Sequence, residues 1–389
     1  MLLQERFARR FRGGEGCGER ANRGDFQQCL GLSFNHTKEE KMNYRNLLMA
    51  SATVFMGLAG AASAQEAATV AFLMPDQAST RYEQHDFPGF KAEMEKLCPK
   101  CTVIYQNANA DASLQQQQFN SVIAQGAKVV VLDPVDSAAA AGLVEIAQSQ
   151  DVKVIAYDRP IPDKPADYYV SFDNEGIGYA IAKSLVEHLK AAGVADGAGV
   201  LEINGSPTDA AAGLIRDGIH RGLKESAYKT LAEYDTPEWA PPKAQEWAAG
   251  QITRFGADIK GVVAANDGTA GGAIAAFKAA GVKPVPPVTG NDATIAALQL
   301  VISGDQYNTI SKPSEIVAAA AANVAVQMIK GEKPEAKTSL YNTPSQLFIP
   351  AVVTAENIKA EIFDKKIQTP EQICTGEYAE GCKKLGITN

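Results

Sequence analysis

Six short polar clusters lie along the chain, each where an apolar, strand-like run gives way to a helical stretch. They contain, in order, Arg81 and Tyr82, Asp158 and Arg159, Asp209, Asn266 and Asp267, Asn291 and Asp292, and Lys312. Carboxylate and amide oxygens accept hydrogen bonds from hydroxyl groups, and guanidinium and ammonium groups donate to hydroxyl and ring oxygens. Tyr82 and Trp239 add flat apolar faces that suit the C–H face of a sugar ring. Together these residue types predict a site for an uncharged polyhydroxyl ligand.

The segments that must position these clusters alternate between strand and helix. Their apolar runs are continuous, as expected for strands that are covered on both faces. The first predicted strands are Thr69–Met74, Thr102–Gln106, Lys128–Leu132, Lys153–Tyr157 and Tyr168–Ser171, and the helical stretches between them lie near Phe90–Leu97, Ser113–Gln125 and Ala138–Gln150. This alternation predicts an α/β fold with a parallel, doubly wound sheet, which binds ligands outside the carboxyl ends of its strands.

The same pattern restarts after Phe172, Asp173 and Asn174, which are expected to form a hinge and a helix cap. The second series of predicted strands is Gly199–Asn204, Tyr228–Tyr234, Gly261–Ala265, Val285–Thr289 and Gln306–Ile310. Its predicted helices lie near Glu175–Ala192, Asp209–Glu225, Lys243–Arg254, Thr269–Ala280 and Thr294–Ile302, and a long helix follows at Ser314–Ile329. The chain is therefore predicted to contain two similar α/β lobes.

The first 64 residues are typical of an export signal rather than of a folded domain. Residues 1–41 lack a sustained apolar period and are interpreted as a doubtful leader, with translation starting at Met42; a genuine N-terminal extension is the alternative. From Met42 onward, Arg45 supplies a positive charge and Leu47–Ala62 an apolar stretch too short to span a membrane. A small-residue cleavage site then precedes Gln65. The pattern predicts a signal peptide over 42–64 and export to the periplasm.

Four cysteines follow the predicted cleavage site, whereas Cys17 and Cys29 precede it. In an oxidising compartment, four cysteines indicate two disulfides. Pairing of Cys98 with Cys101 and of Cys374 with Cys382 is the simplest of the three connectivities. A zinc site or a redox-active pair at Cys98 and Cys101 is the alternative.

Charge and motif content exclude several classes of protein. The formal net charge of −8 argues against nucleic acid or an anionic membrane surface as a partner. The sequence has no phosphate-binding glycine loop, no nucleophile elbow and no EF-hand-like loop. His85, His188 and His220 are too widely spaced to suggest metal ligands. We therefore expect no cofactor, no metal site and no catalytic residue.

The clusters, in their order along the chain, resemble those of a known family. The segments KVIAYDRPI, SFDN, NGSPTDAAA, AANDGTAGGAI, TGNDA and ISKP are similar to motifs of the type I periplasmic sugar-binding proteins of ABC transporters. The likeness is closest to the D-xylose-binding and multiple-sugar-binding branch, and it covers Ala68 to about Val353. It implies two lobes joined by three crossing strands, a monosaccharide such as xylose or a related pentose or hexose held between them, and an ABC permease as partner. A monomer is expected.

The resemblance also implies roles for single residues. Arg81, Asp158 and Arg159 would contact the sugar from the first lobe, with Tyr82 as an aromatic wall. The second lobe or its hinge edge would contribute Asp209, Asn266, Asp292 and Lys312, with Trp239 stacking on the ring. The chain departs from the family at Ala210 and Ala211, where the pattern usually has asparagines, so the identity of the sugar is open.

The domain boundaries follow from the same comparison. The first lobe is expected to comprise 65–172 and 313–341, and the second 173–312 and 342–389, with a disulfide-pinned tail. The three crossings are expected near Ser171–Asn174, Ile310–Pro313 and Tyr341–Pro344.

Three classes of function fit such a chain. A non-enzymatic receptor that feeds a permease is the leading interpretation. A carbohydrate-modifying enzyme on the same fold class is an alternative, and a sugar-responsive repressor is another. The repressor would need a DNA-binding segment where the predicted signal peptide stands. A sensory role, with a chemoreceptor or a sensor kinase as partner, is compatible with the leading interpretation.

Overall fold

The computed structural model describes residues 67–388. The predicted leader, the start at Met42, the signal peptide over 42–64 with its cleavage at Gln65, and Cys17 and Cys29 lie outside the described residues. Within residues 67–388, none of the helices is long and apolar enough to cross a membrane.

The first lobe is built on a seven-stranded sheet. Its strands are β1 (Thr69–Met74), β2 (Thr102–Asn107), β3 (Ala127–Leu132), β4 (Lys153–Tyr157), β5 (Tyr168–Phe172), β10 (Thr338–Leu340) and β11 (Thr343–Phe348). The helices that accompany it are α1 (Phe87–Leu97), α2 (Ala112–Ala124), α3 (Ala140–Ser149) and α9 (Ser314–Ile329). The order β2-β1-β3-β4-β5-β11-β10 is parallel except for β10, which pairs antiparallel with β11. The predicted doubly wound sheet is thus present, with an antiparallel edge strand added.

The second lobe has a smaller parallel sheet in the order β7-β6-β8. Its strands are β6 (Gly199–Asn204), β7 (Lys229–Asp235) and β8 (Ile259–Ala264), and a separate antiparallel pair is formed by β9 (Asn308–Ser311) and β12 (Ala351–Thr354). Its helices are α4 (Asn174–Ala191), α5 (Ala210–Lys224), α6 (Pro241–Phe255), α7 (Asp267–Ala279) and α8 (Ile295–Ser303), followed by α10 (Pro370–Ile373) and α11 (Ala379–Lys384).

One predicted strand of the second lobe, Val285–Thr289, does not form as a strand. Only Val288 pairs with the sheet, through an isolated parallel bridge to Val262. Pro286 and Pro287 precede it and have no backbone N–H to donate to a ladder. The segment still lies along β8, because the Val262 N–H donates to the Pro287 carbonyl at 2.9 Å.

The third crossing between the lobes was predicted at the wrong place. Tyr341 and Asn342, with φ of 49° and 61°, form the tight turn between β10 and β11. Since β11 pairs in parallel with β5, residues 342–348 belong to the first sheet. The chain crosses after Phe348, and its carbonyl accepts a 3.0 Å hydrogen bond from the Asp173 N–H of the first crossing. The sequence pattern missed this because β11 continues a sheet whose other strands are far away in the chain.

Both predicted disulfides are present. Cys98–Cys101 closes the turn after α1, and Cys374–Cys382 joins α10 to α11. The second disulfide pins a tail that packs on α8, where Ile302, Ile362 and Ile373 form part of a buried cluster.

Candidate functional site

A pocket lies between the two lobes. Every strand-end loop that lines it follows the carboxyl end of its strand. The lining residues are Ser79, Arg81, Tyr82, Asp158, Asn174, Asp209, Ala211, Ile215, Trp239, Asn266, Asn291, Asp292 and Lys312. Eight of the nine residues predicted to contact a ligand are in this set, and the ninth, Arg159, is not.

The sheet topology explains why these loops converge. In the first sheet the chain order reverses between β1 and β3, and in the second it reverses between β6 and β8. Loops leave such a switch point in opposite directions and open a crevice at the carboxyl ends of the strands. Arg81 follows β1, while Asp209 and Asn266 follow β6 and β8, so the crevices of the two lobes face one pocket.

Five charged side chains form an ion-pair network in and behind the pocket wall. Arg81 pairs with both Asp86, at 2.9 Å, and Asp158. Lys312 Nζ lies 3.0 Å from Asp292 Oδ1 and 3.9 Å from Asp158 Oδ1. Burial alone would raise the pKa of Asp158, but the charges of Arg81 and Lys312 outweigh it and lower that pKa below its ordinary value. Asp158 is therefore held as a carboxylate, the form that accepts hydrogen bonds from hydroxyl groups.

The backbone of Asp158 is fixed in an uncommon conformation. Its φ is 57°, which is unusual for a residue other than glycine, although aspartate tolerates it better than most. Its carbonyl accepts hydrogen bonds from the Tyr169 hydroxyl at 2.7 Å and the Ser171 hydroxyl at 2.9 Å. Asn174, which lines the pocket, donates to both of these hydroxyls in turn. These hydrogen bonds hold the backbone of Asp158 and so fix the direction in which its carboxylate points. Uncommon backbone conformations of this kind are often found at functional sites.

Arg159 is not among the residues that line the pocket, and its predicted contact with a ligand stays a prediction. It pairs with Asp76 at 2.7 Å, lies 3.4 Å from Asp133, and donates to the Tyr82 hydroxyl at 3.3 Å. Its Nε also lies 3.3 Å from Asp209 Oδ2. Adjacent residues of an irregular segment need not face the same way. The sequence pattern therefore could not predict which of Asp158 and Arg159 lines the pocket. Arg159 thus contacts both the Tyr82 hydroxyl and the Asp209 carboxylate, two groups of the pocket wall.

Asp209 and Trp239 form the wall that the second lobe contributes. Asp209 caps α5 by accepting from the Ala211 N–H at 2.8 Å, and its other oxygen accepts from Trp239 Nε1 at 3.0 Å. The indole lies so close to Gly205 that a Cβ there would be 2.0 Å from the ring. Glycine is therefore required at 205 for this placement of Trp239.

Asn266 and Asp267 are adjacent in the sequence but have different roles. Asn266 is the cap of α7, since its Oδ1 accepts from the Thr269 N–H at 2.8 Å, and it also lines the pocket. Asp267 is buried and ties three segments together through Thr294, Gln306 and Thr309. The capping oxygen of Asn266 is used within the helix, which leaves its amide nitrogen as the donor for a ligand.

Five further lining residues were not predicted as ligand contacts. Ser79 and Ile215 gave no signal beyond their proximity to predicted residues, Ala211 stands where the family pattern usually has asparagine, and Asn174 was assigned to the hinge. Asn291 directly precedes Asp292, and its Oδ1 is buried without a hydrogen-bond partner among the described residues. An unsatisfied buried acceptor is costly, so its presence in the pocket favours a ligand donor at that point.

This geometry agrees with what comparison with known proteins shows. A family model described as a periplasmic binding protein domain matches residues 70–333, more than half of the chain. The chain belongs to the periplasmic binding protein family. The predicted family and its type I fold are thereby confirmed.

Several relatives of this periplasmic binding protein are named as sugar binders. It is 33% identical to the D-xylose-binding periplasmic protein of Escherichia coli, over 82% of this chain and 96% of the relative. It is 26% identical to the multiple sugar-binding periplasmic receptor ChvE of Rhizobium radiobacter, over 85% and 99%. Among solved structures, an ABC transporter solute-binding protein of Clostridium phytofermentans with bound β-D-glucose superposes with a TM-score of 0.70 at 27% identity, over 78% of this chain and 99% of that one.

Proposed function

We propose that this chain captures a neutral monosaccharide, D-xylose or a related pentose or hexose, between its lobes and delivers it to an ABC permease in the periplasm. Two relatives that align with this chain over nearly their whole length are named for binding D-xylose and multiple sugars in the periplasm. A solved relative is an ABC transporter solute-binding protein with a bound hexose. An export signal at 42–64 is part of this proposal.

The observation that carries the proposal is that each charged side chain lining the pocket already has a partner of opposite charge in the protein. Two cations, Arg81 and Lys312, and three carboxylates, Asp158, Asp209 and Asp292, line it. Arg159 supplies the third cation through its contact with Asp209. The protein's own charges are therefore paired before any ligand arrives, and a charged solute would bring an unpaired charge into a buried site. Hydroxyl groups can insert between the paired charges as both donors and acceptors.

The aromatic residues favour a ring-shaped ligand. Trp239 is 7% exposed and pinned by its Nε1, and Tyr82 is 2% exposed and held through its hydroxyl by Arg159 and Asp158. Their rings thus have fixed positions on the wall of the pocket. At Ala211 the wall lacks the polar side chain that the family usually has. This favours a sugar that makes fewer hydroxyl contacts at this position than the sugars of the relatives do.

A receptor fits the site better than an enzyme does. The pKa of Asp158 is lowered, so it is a poor proton donor near neutral pH. Burial raises the pKa of Asp209, but its two oxygens already accept from the Ala211 N–H and from Trp239 Nε1, and Asp292 is paired with Lys312. We propose that the sugar leaves chemically unchanged, and that the closed form is the state that a permease recognises. A sensor kinase or a chemoreceptor could read the same closed surface.

A ligand screen tests this function. The protein, freed of bound ligand by unfolding and refolding, is heated with D-xylose, other pentoses, hexoses, xylitol, and glucuronate as an anionic control of similar size. At least one neutral sugar should raise the melting temperature, because a ligand that binds only the native state stabilises it by about 4 kcal/mol at 1,000 times Kd. Glucuronate should have no effect, and NMR should recover the sugar unaltered. A preference for glucuronate, or a chemically modified sugar, would refute the proposal.

A further inference from the structure

Three side chains that could hold a metal ion meet in the second lobe, outside the sugar pocket. Glu202 on β6 and Glu233 on β7 are direct cross-strand partners, and His220 on α5 lies over them. Their ligand atoms all lie within 4.8 Å of one another. His220 Nε2 is 3.0 Å from Glu202 Oε1 and 3.1 Å from Glu233 Oε1.

The buried member of this cluster lacks hydrogen-bond partners. Glu202 is 0% exposed, and neither of its carboxylate oxygens accepts a hydrogen bond from the described residues. The hydrogen bond of His220 Nε2 goes to Glu233, which also accepts from Asn204 Nδ2 at 2.8 Å. A buried carboxylate without hydrogen-bond donors is costly, and a bound cation would remove that cost.

The spacing of the ligand atoms suits a small divalent cation. Tetrahedral zinc binds imidazole nitrogen and carboxylate oxygen at about 2.0–2.1 Å, which puts neighbouring ligand atoms about 3.3 Å apart. The 3.0 and 3.1 Å distances from His220 Nε2 to the two carboxylates need an expansion of only a few tenths of an ångström. His220 and Glu233 are exposed, so water can complete the coordination from the outside.

We propose that Glu202, His220 and Glu233 bind one divalent transition-metal cation, and that Zn²⁺ is the ion that this set of ligands suits best. One imidazole and two carboxylates match the nitrogen and oxygen ligands of zinc sites. The ion would neutralise the buried Glu202 and replace repulsion between the carboxylates with shared coordination. Asn204, which donates to Glu233, holds that ligand in place as outer partners of metal sites do.

The cation would fasten α5 to the strands beneath it. Asp209, in the wall of the sugar pocket, caps the start of this helix, and His220 lies about three turns further along. No sequence motif indicates the site, because its ligands lie on two strands and a helix that are brought together only in the folded protein. The sequence-based expectation of no metal site rested on the spacing of the histidines and on the lack of an EF-hand-like loop.

The test uses the untagged, full mature protein after treatment with EDTA. Titration calorimetry with Zn²⁺ should show one ion per chain, and Co²⁺ should give visible absorption bands of a low-coordinate site. Glu202→Gln and His220→Gln should each weaken Zn²⁺ binding by more than the 10–100-fold that loss of an outer partner costs. Zn²⁺ should also raise the melting temperature of the wild type but not that of the variants.

Asp235→Asn is the matched control. Asp235 lies two residues beyond Glu233 on the same face of β7 and pairs with Arg216, one turn before His220 on α5. This variant should bind Zn²⁺ as the wild type does. Retention of the sugar-induced rise in melting temperature shows that the two ligand variants are folded. Absence of Zn²⁺ binding to the wild type, or unchanged binding in both ligand variants, would overturn the proposal.

Discussion

The guanidinium of Arg159, on the first lobe, contacts the carboxylate of Asp209, on the second, with Nε 3.3 Å from Oδ2. The same oxygen of Asp209 accepts the hydrogen bond from Trp239 Nε1. A buried ion pair therefore links the loop after β4 to the pocket wall of the other lobe. Separation of the lobes would leave both charges without this partner, so the contact belongs to the closed arrangement and helps to define it.

A second set of contacts between the lobes lies near Thr208. The Ser137 N–H donates to the Thr208 carbonyl at 2.9 Å, and the Thr208 hydroxyl donates to the Val135 carbonyl at 3.2 Å. Thr208 does not line the sugar pocket. We predict that Thr208→Val weakens sugar binding by about 0.5–1.5 kcal/mol, the usual net value of one hydrogen bond, through a smaller closed population. Calorimetry measures the affinity.

Thr253→Val is the control for this change. Thr253 is exposed, and its hydroxyl donates within α6 to the Ala249 carbonyl at 3.0 Å. The Thr253→Val variant should bind sugar with the same affinity as the wild type. Equal affinity of the Thr208 variant would show that contacts between the lobes do not contribute to binding.

Asp292→Asn tests the charged network of the pocket. Asp292 is the 3.0 Å partner of Lys312 and lies 3.9 Å from Arg81, with φ of 106°. An amide keeps the shape but removes the charge, so we expect a loss of about 2 kcal/mol of sugar affinity or more. Asp305→Asn, at an exposed ion pair with Lys278, should leave the affinity unchanged. Wild-type affinity in the Asp292 variant would mean that this carboxylate does not contact the sugar.

Gly205→Ala tests the placement of the indole. Because the added Cβ would lie 2.0 Å from the ring of Trp239, the indole must move and lose its hydrogen bond to Asp209. We predict a loss of sugar affinity of about tenfold or more, equivalent to 1.4 kcal/mol. On a Trp239→Phe background the same alanine should cost much less, which a double-mutant cycle measures. Additive losses would show that Gly205 acts independently of Trp239.

His85 and Glu315 give a pH-dependent prediction. The hydrogen bond to Glu315, 2.7 Å long, raises the pKa of His85, while burial opposes that rise. Because the folded-state pKa is raised, the pair stabilises the fold fully below about pH 6.5, and this contribution is lost as pH rises through the folded-state value. The side chains are 24% and 47% exposed, so the gain is below about 1 kcal/mol.

Urea unfolding of the wild type and of His85→Gln measures this contribution. The variant should be less stable at pH 5.5, and the difference should vanish near pH 9. Glu315→Gln should show the same dependence, since it removes the other half of the pair. A stability difference that is the same at both pH values would contradict the assignment.

The strand-end positions of the site could be predicted from the sequence because each depends on a local pattern. Asp158 directly follows the apolar run that forms β4, and Asp209 lies a few residues after the run that forms β6. Parallel strands put such positions at one edge of a sheet. The direction of Arg159 could not be predicted, because it depends on Asp76 and Asp133, which are distant in the sequence.

Pairing between distant strands was the other limit. β11 joins β5 across more than 170 residues, so the third crossing was predicted too early in the chain. The pairing of Glu202 with Glu233 across two strands could not be predicted for the same reason. The position of His220 beside both of them also depends on how α5 packs on these strands. Apolar periodicity fixes which residues are buried, but it does not specify partners across a sheet.

Small-angle X-ray scattering with and without the sugar selected by the thermal screen tests capture between the lobes most directly. The proposed contacts divide between a first set, Arg81 and Asp158, and a second set, Asp209 and Asn266, on the other lobe. Since neither set can satisfy the hydroxyl groups alone, saturating sugar should shift the population to the closed form and reduce the radius of gyration. The same radius of gyration with and without saturating sugar would contradict the account.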